Sequence, residues 1–216
     1  MKYKTVIFDL DGTLLDTLDD LNESTNYALE SMGYPKRNIA EVRKFVGNGV
    51  AKLIERAVPD GTARAMEEKT LLIFKEHYAL HCEDKTKPYD GILPLLDLLQ
   101  KNGIKIAVVS NKIDSAVSEL CKKYFGNRIF LAVGDRVGIK RKPDPDSVFE
   151  VLQKLGASIE EAVYIGDSEV DVQTAKNAGI SFIGVTWGFR DKQILAENGA
   201  ILFAETPQEL ESMLLC

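Results

Sequence analysis

Residues 5–13 read Thr5-Val6-Ile7-Phe8-Asp9-Leu10-Asp11-Gly12-Thr13, an apolar run that ends at a pair of acids. The β-branched and aromatic residues at 5–8 predict a short buried strand. Because the strand ends at Asp9, we expect Asp9 and Asp11 to project into the loop at its carboxyl end, where open parallel sheets bind ligands. Gly12 allows the chain to turn sharply at this point.

Further apolar runs of strand length follow along the chain, separated by segments with helical spacing. Strands are predicted at 104–109, 129–133, 162–165 and 181–185, with a weaker one at 200–203. Helices are predicted at about 94–101, 113–124, 144–155, 169–178 and 190–198. Strands that alternate with helices predict an α/β fold built on a doubly wound parallel sheet with a Rossmann-like core.

The connection after the first strand is too long for a regular alternation of strands and helices. A βαβ unit takes about 30 residues in all, but the second strand begins only near Ile104. Apolar and small residues between them recur at three- and four-residue spacing, as in Leu14, Leu18, Leu21, Thr25, Ala28 and Met32. We therefore predict an all-helical cap domain at residues 14–85, inserted into a core domain made of residues 1–13 and 86–216.

The acids of the opening stretch need a stabilising partner, because two carboxylates this close repel each other. Mg²⁺ is a suitable partner, since it binds a few carboxylates together with phosphate oxygens and water. The alternative is a turn that carries two solvated acids. The pattern D-x-D-G-T should arise by chance in only about one such chain in several hundred, so we favour a functional pair.

Ser110-Asn111-Lys112 follows the predicted strand at 104–109. The Ser110 hydroxyl and backbone N–H groups at the start of the next helix are able to bind a phosphate oxygen. Taken alone, this stretch is explained better by Ser110 or Asn111 acting as a helix N-cap.

Lys140-Arg141-Lys142-Pro143-Asp144-Pro145 is a basic cluster in an acidic protein. Pro143 restricts Lys142 to an extended conformation, while Asp144 and Pro145 resemble an N-cap and a first helical residue. We therefore expect Lys142 to point at the carboxyl edge of the sheet, where its compact charge suits phosphate or clustered carboxylates. A solvated loop lysine is the alternative.

Gly166-Asp167-Ser168-Glu169-Val170-Asp171 ends the strand predicted at 162–165. Asp167 lies at the strand end and Asp171 about one helical turn further on. Asp171 also fits a capping box with Ser168, and this structural role is compatible with orienting a lysine or a metal-bound water. Together with the three preceding groups, these acids follow successive parallel strands, so all four groups should converge at one edge of the sheet.

Composition excludes several classes of function. The net charge is −6 and the pI about 5.1, which argues against a nucleic-acid-binding surface. Cys82, Cys121 and Cys216 form no C-x-x-C pair, so reduced thiols are expected rather than a zinc site. No run approaches the roughly 18 apolar residues of a membrane span. We expect a cytoplasmic protein with no membrane or nucleic-acid partner, monomeric by default.

With these four groups, the chain resembles members of the haloacid dehalogenase-like hydrolase superfamily. Asp9-Leu10-Asp11-Gly12-Thr13 matches its first motif, Ser110 its second, Lys142 its third, and Gly166-Asp167 with Asp171 its fourth. A subfamily resemblance, to bacterial phosphoglycolate phosphatases with a helical cap, rests on four stretches: 9–16, Phe45-Val46-Gly47-Asn48-Gly49, 142–145 and Gly184-Val185-Thr186-Trp187-Gly188.

The resemblance implies a role for each motif residue. Asp9 would be the nucleophile that forms an aspartyl phosphate, and Asp11 the general acid and base. Mg²⁺ would be bound by the carboxylates of Asp9 and Asp167 and by the backbone carbonyl of Asp11. Ser110 and Lys142 would hold the phosphoryl group with backbone N–H groups near Leu10 and Asn111, while Asp171 would position Lys142 or the metal's surroundings. The partner would be a small phosphorylated metabolite.

The inserted helices would select the leaving group. Gly47-Asn48-Gly49 is the candidate substrate-facing loop, with an ordinary inter-helix turn as the alternative, and Arg43 is a weaker candidate for binding a second anion. His77 and His81 lie one helical turn apart, but no third metal ligand is evident, so we interpret them as surface or packing residues.

Other functions fit parts of the same pattern. A sugar phosphomutase of the β-phosphoglucomutase type, a pyrophosphatase or a nucleotide phosphatase would keep these motifs. A dehalogenase is disfavoured because its branch lacks an acid at the position of Asp11. A phospho-accepting receiver module also uses acids, a hydroxyl and a lysine on a parallel sheet, but it has neither the long helical insertion nor a second acid pair after the lysine. A catalytically silent relative is disfavoured because every motif position carries a competent residue.

Overall fold

A computed structural model describes residues 3–215 of the chain. Its strands are β1 (Thr5–Phe8), β2 (Leu15–Asp16), β3 (Lys87–Pro88), β4 (Lys105–Ile113), β5 (Leu131–Asp135), β6 (Ala162–Gly166), β7 (Ser181–Val185) and β8 (Phe203–Ala204). Its helices are α1 (Leu18–Ser31), α2 (Ile39–Phe45), α3 (Val50–Ala57), α4 (Arg64–His81), α5 (Ile92–Lys101), α6 (Asp114–Phe125), α7 (Asp146–Leu155), α8 (Glu169–Ala178), α9 (Lys192–Glu197) and α10 (Pro207–Leu215), with a 3₁₀ turn at Gly126–Arg128.

Six strands form one sheet in the order β5-β4-β1-β6-β7-β8, and each adjacent pair runs parallel. β1 lies at the centre, with Phe8 opposite Val108 on one side and Ile165 on the other. The predicted α/β fold with a doubly wound parallel sheet is confirmed. This register brings the ends of β1, β4 and β6 to the same edge of the sheet.

Both faces of the sheet are buried, which explains why its strands are continuous apolar runs. Along β1, Val6 and Phe8 pack into the cluster on one face, whereas Ile7 packs into the cluster on the other. This alternation is the two-residue period of a strand. The buried side chains hold the end of β1 in place, and with it the acids that follow.

The chain divides into two compact units: a core unit, up to Leu15 and from Pro88 onward, and a helical unit, Asp16–Lys87. The helical unit has its own apolar core, which includes Leu29, Ile54 and Phe74. Its first and last residues each lie two positions later in the chain than those of the inserted domain expected at 14–85. β2 and β3, where the chain passes between the units, pair with each other in a two-stranded sheet.

Two local expectations were wrong. β4 continues to Ile113 with a register shift against β5, so α6 begins only at Asp114 and neither Ser110 nor Asn111 is its N-cap. α7 begins at Asp146 with Pro145 as its N-cap, not with Asp144. Asp144 instead lies in a turn, where its carboxylate accepts a hydrogen bond from the Asp146 backbone.

None of the helices within residues 3–215 combines the length and apolarity needed to cross a membrane.

Candidate active site

Asp9 follows β1 directly, and its backbone N–H still donates to the Ile165 carbonyl at 2.9 Å. The residue is 8 % exposed. Its carboxylate contacts the ammonium group of Lys142, with Asp9 Oδ1 2.8 Å from Lys142 Nζ. The strand therefore delivers a buried carboxylate to the middle of the carboxyl edge and sets a cation against it.

Lys142 is the inward-pointing member of its basic cluster. Its side chain is 4 % exposed, and Nζ lies 2.8 Å from Asp171 Oδ1 as well as contacting Asp9. Burial alone would lower the pKa of Lys142, but the two carboxylates together raise it well above its usual value. Lys140 and Arg141 are exposed and pair with Asp144 and Asp135. Lys142 therefore carries a fixed positive charge within the site.

Tyr164 gives Lys142 a third contact that sequence reasoning missed. Lys142 Nζ donates to the Tyr164 hydroxyl at 3.1 Å, and the hydroxyl donates to the Val109 carbonyl at 3.0 Å. The side chain is fully buried on β6. A buried tyrosine needs a hydrogen-bond partner, and that requirement was the only signal in the sequence.

Asp167 and Asp171 are held by groups on three different segments. Asp167 accepts hydrogen bonds from the Thr13 hydroxyl at 3.0 Å and from the Phe189 backbone N–H at 2.7 Å. Asp171 accepts from the backbone N–H and the hydroxyl of Ser168, in the capping box that begins α8. Both carboxylates are therefore fixed in orientation without the help of any exposed side chain.

Asp9, Asp167 and Asp171 form the carboxylate cluster, in which one oxygen from each lies within 4.8 Å of the others. Burial and the charge of Asp171 raise the pKa of Asp167 to about 7 and that of Asp9 well above its usual value. A buried like-charge cluster favours a bound cation, and all-oxygen donors suit Mg²⁺. These residues therefore fit a divalent cation.

Two glycines permit close packing around Asp167. A Cβ on Gly12 would lie 2.4 Å from Asp167 Oδ2, and Gly12 has a φ of +88°. A Cβ on Gly188 would lie 2.3 Å from the Gly12 carbonyl oxygen and 2.4 Å from Asp167 Cβ. A side chain at either position would therefore require Asp167 or the Gly12 backbone to shift.

Asp11 lies outside the carboxylate cluster. Its Oδ1 is 3.0 Å from Lys112 Nζ, and the lysine side chain is 9 % exposed. The sequence suggested Lys112 only as part of the stretch 110–112, so this ion pair between residues 101 positions apart was not foreseen. The expected contribution of Asp11 to a metal site, through its backbone carbonyl, stays a prediction.

Ser110 and Asn111 lie in the last part of β4. Ser110 is 6 % exposed, and its hydroxyl oxygen accepts a hydrogen bond from the Lys112 backbone at 3.2 Å. The Asn111 side chain makes two hydrogen bonds to the backbone of Lys142, at 2.9 and 3.1 Å. Asn111 therefore attaches the lysine-bearing loop to β4, a role that differs from the expected phosphate contact through its backbone.

The side chain of Leu10 belongs to the apolar core, whereas its backbone takes part in a turn. The side chain is fully buried, while the carbonyl accepts from the N–H groups of Thr13, Leu14 and Leu15. Its expected phosphate contact through the backbone N–H stays a prediction.

The candidate cap residues belong to the helical unit. Gly47, Asn48 and Gly49 connect α2 to α3, with φ values of +108°, +62° and +84°. Arg43 lies in the last turn of α2. Their proposed contact with substrate stays a prediction.

The two histidines of α4 lie elsewhere in the helical unit. His77 stacks on Tyr27 and on His81, with ring centroids 4.0 and 4.3 Å apart.

A parallel α/β sheet whose central strand ends at the buried acid Asp9, faced by the buried Lys142, is an arrangement that suits chemistry on anionic groups. Comparison with known proteins names the class. The chain belongs to the haloacid dehalogenase-like hydrolase family, whose sequence profile matches residues 6–185.

Three relatives show how closely the chain follows this family. Phosphoglycolate phosphatase 1 of Pseudomonas aeruginosa is 33 % identical over 213 residues, covering 96 % of this chain and 78 % of the relative. A phosphoglycolate phosphatase of Mesorhizobium japonicum is 33 % identical over 199 residues, covering 90 % and 87 %. A crystal structure of a candidate phosphoglycolate phosphatase from Lactobacillus delbrueckii subsp. bulgaricus has a TM-score of 0.95 at 38 % identity, covering 100 % and 99 %. The predicted family is confirmed, and the chain is a hydrolase similar to phosphoglycolate phosphatases.

Proposed function

We propose that this chain is a Mg²⁺-dependent phosphatase that hydrolyses a small phosphate monoester through an aspartyl phosphate on Asp9. The proposal rests on one observation above all. The Asp9 carboxylate lies 2.8 Å from the buried ammonium of Lys142 and within a cluster of three acids. A nucleophile, a fixed cation and a divalent-cation site are the three groups that phosphoryl transfer requires.

Asp9 and Asp167 would hold the metal through their carboxylates and Asp11 through its backbone carbonyl, with Asp171 beside them. Bound there, Mg²⁺ would offset the negative charge of the carboxylates and of the phosphoryl oxygens, so that an anionic ester can approach an anionic nucleophile.

In the first step an Asp9 carboxylate oxygen attacks phosphorus. The bond from phosphorus to the bridging oxygen breaks, its electron pair goes to the leaving alkoxide, and Asp11 gives that oxygen a proton. Lys142 would stabilise the charge on the transferring phosphoryl group, and the Ser110 hydroxyl would donate to one of its oxygens.

In the second step water attacks the aspartyl phosphate. Asp11, now deprotonated, takes a proton from the water, and the bond between phosphorus and Asp9 breaks to release phosphate and restore the carboxylate. Asp171 acts indirectly, because it touches Lys142 rather than the reacting atoms and keeps the lysine aimed at Asp9. Phosphate monoesters hydrolyse so slowly without a catalyst that this positioning must supply most of the acceleration.

The names of the relatives support phosphoglycolate as the first substrate to test. We propose that the helical unit selects the leaving group and that Gly47-Asn48-Gly49 and Arg43 contribute to this choice. The proposed site of action is the cytoplasm, where the substrate would be a small phosphorylated metabolite.

The test is phosphate release from a panel of esters, measured with Mg²⁺ and with EDTA. The panel contains phosphoglycolate, sugar phosphates, nucleotides, pyrophosphate and an aryl phosphate. Magnesium-dependent release that disappears in Asp9→Asn, but persists in the surface variant Asp60→Asn, is the expected result.

The outcomes separate the alternatives. A clear preference for a nucleotide or pyrophosphate would change the substrate class while keeping the chemistry. Transfer of phosphate between sugar positions without release would indicate a phosphomutase. A stable aspartyl phosphate with no turnover of any ester would overturn the phosphatase and favour a receiver module.

A further inference from the structure

The core unit brings a second lysine to the proposed reaction centre. Lys112 lies at the end of β4, and its Nζ is 3.0 Å from Asp11 Oδ1. Its side chain is 9 % exposed, so the charge lies in a mostly desolvated position. An ion pair shielded from water interacts more strongly with a further charge than an exposed one does.

The two lysines contact different acids. Lys142 contacts Asp9 and Asp171, which places it beside the nucleophile and the transferring phosphoryl group. Lys112 contacts Asp11, the acid proposed to protonate the leaving oxygen. Lys112 would therefore lie on the leaving-group side of the proposed reaction.

An acidic leaving group would otherwise meet strong repulsion here. Asp11 and the carboxylate cluster bring four acids to this edge of the sheet, and like charges in a buried site oppose a further anion. A cation beside Asp11 offsets this repulsion for a leaving group that carries its own negative charge.

We propose that Lys112 is a specificity-determining residue that binds a carboxylate on the leaving group. This inference rests on the proposed phosphatase function and names the class of substrate: phosphate esters of short 2-hydroxy acids. In such esters one carbon separates the bridging oxygen from the carboxylate, so a hydrogen bond from Asp11 to the bridging oxygen brings the carboxylate within reach of Lys112 Nζ. The ammonium then spans the Asp11 and substrate carboxylates.

The test compares phosphoglycolate with ethyl phosphate, which replaces the carboxylate with a methyl group. The two esters are assayed with the full-length wild type, Lys112→Met, Lys112→Arg and the surface control Lys122→Met. We expect the ratio of kcat/KM for phosphoglycolate over ethyl phosphate to fall at least about tenfold in Lys112→Met, mainly through KM, because a charge-assisted hydrogen bond is lost. Lys112→Arg should retain part of the ratio, and Lys122→Met all of it.

Binding gives an independent readout. In the Asp9→Asn background, where turnover is removed, calorimetry measures the Kd of each ester with and without Lys112→Met. Weaker binding of phosphoglycolate, with a smaller change for ethyl phosphate, supports the proposal.

Equal losses for both esters in Lys112→Met would overturn it, and so would a wild-type enzyme that does not prefer phosphoglycolate to ethyl phosphate. Failure of the underlying function looks different, because the wild type would then release phosphate from neither ester nor from an aryl phosphate.

Discussion

The hydroxyl of Tyr164 accepts a hydrogen bond from Lys142 Nζ at 3.1 Å and donates one to the Val109 carbonyl at 3.0 Å. The residues lie on different segments: Tyr164 on β6, Val109 on β4 and Lys142 in the loop before α7. One hydroxyl thus ties the position of the lysine to the two strands that flank β1. The orientation of the cation is set by the sheet rather than by its own loop alone.

Tyr164→Phe should lower kcat about tenfold, because the lysine loses one of the contacts that aim it at Asp9. It should also reduce the free energy of unfolding by about 1–3 kcal/mol, since the Val109 carbonyl is left buried without its donor. Steady-state kinetics and urea denaturation measure the two effects. Tyr27→Phe, at a half-exposed position in the helical unit, is the matched control. A stability loss with unchanged kcat would show that the hydroxyl is purely structural.

Asp9→Asn should abolish turnover while the far-UV circular dichroism stays that of the wild type. The amide is a poor nucleophile toward phosphorus but has nearly the same size as the carboxylate. Rapid-quench measurement with an aryl phosphate should detect a covalent phosphoenzyme in the wild type and none in the variant. Full activity in Asp9→Asn would rule out the covalent mechanism.

Asp11→Asn should impair turnover severely, by about 10²–10⁴-fold, because an amide neither gives the alkoxide a proton nor takes one from water. In the step that forms the phosphoenzyme, the loss of rate should be smaller for an aryl phosphate than for an alkyl phosphate. The phenolate of an aryl phosphate departs without being protonated. An equal deficit for aryl and alkyl esters in that step would contradict the general-acid role.

Gly188→Ala should weaken Mg²⁺ binding and reduce the free energy of unfolding by about 1–3 kcal/mol through overpacking. Its Cβ would lie 2.3 Å from the Gly12 carbonyl oxygen, a backbone atom that moves only with the turn that carries Asp11. Gly184→Ala is the control, since the nearest atoms to its Cβ, at 3.1 and 3.2 Å, belong to the side chains of Leu195 and Phe203. Isothermal titration calorimetry measures the Mg²⁺ affinity of the two variants. Equal affinities would show that the Gly188 contact leaves Asp167 undisturbed.

The stabilising effect of Mg²⁺ should increase with pH. The pKa of Asp167 is raised to about 7, and burial with Asp171 raises that of Asp9 as well. A carboxyl whose pKa is higher in the folded state stabilises the fold at low pH, and this contribution is lost as the pH rises through the folded value. Through Asp167 alone, the metal-free protein should therefore lose stability from about pH 4 to pH 7, and a cation bound to the deprotonated acids should restore it.

The measurement is the difference in Tm with and without Mg²⁺ at pH 5.5 and at pH 8. A shift of about 5–10 °C is expected at pH 8 with Mg²⁺ at a hundred times its Kd, and a smaller one at pH 5.5. Taking the difference cancels the contribution of titrating groups that do not interact with the cation. Asp167→Asn should remove most of the effect. A Tm difference that does not depend on pH would contradict proton competition at the cluster.

The sequence predicts the α/β fold and the positions of most strands because both depend on the local pattern of apolar residues. Strands buried on both faces are continuous apolar runs, as at Thr5–Phe8 and Ser181–Val185, and helices repeat every three to four residues. Errors arose at element ends. At Ser110 and Asn111 the strand continued with a register shift, and at Asp144 a turn preceded the helix, so pairing with neighbours rather than composition decided the boundary.

The order of acids and apolar runs along the chain shows which acids follow which strands, and parallel strands predict that Asp9, Asp167 and Lys142 lie at one edge. Their chemical roles stay predictions until they are tested. The side-chain contacts follow from the folded arrangement instead: Tyr164 with Lys142, Lys112 with Asp11, and the Asn111 side chain with the loop of Lys142. These pairs are 22 to 101 residues apart in the chain. A hydrogen bond or ion pair depends on a separation of about 3 Å, and strand register and side-chain packing set that distance, whereas residue type and spacing along the chain do not.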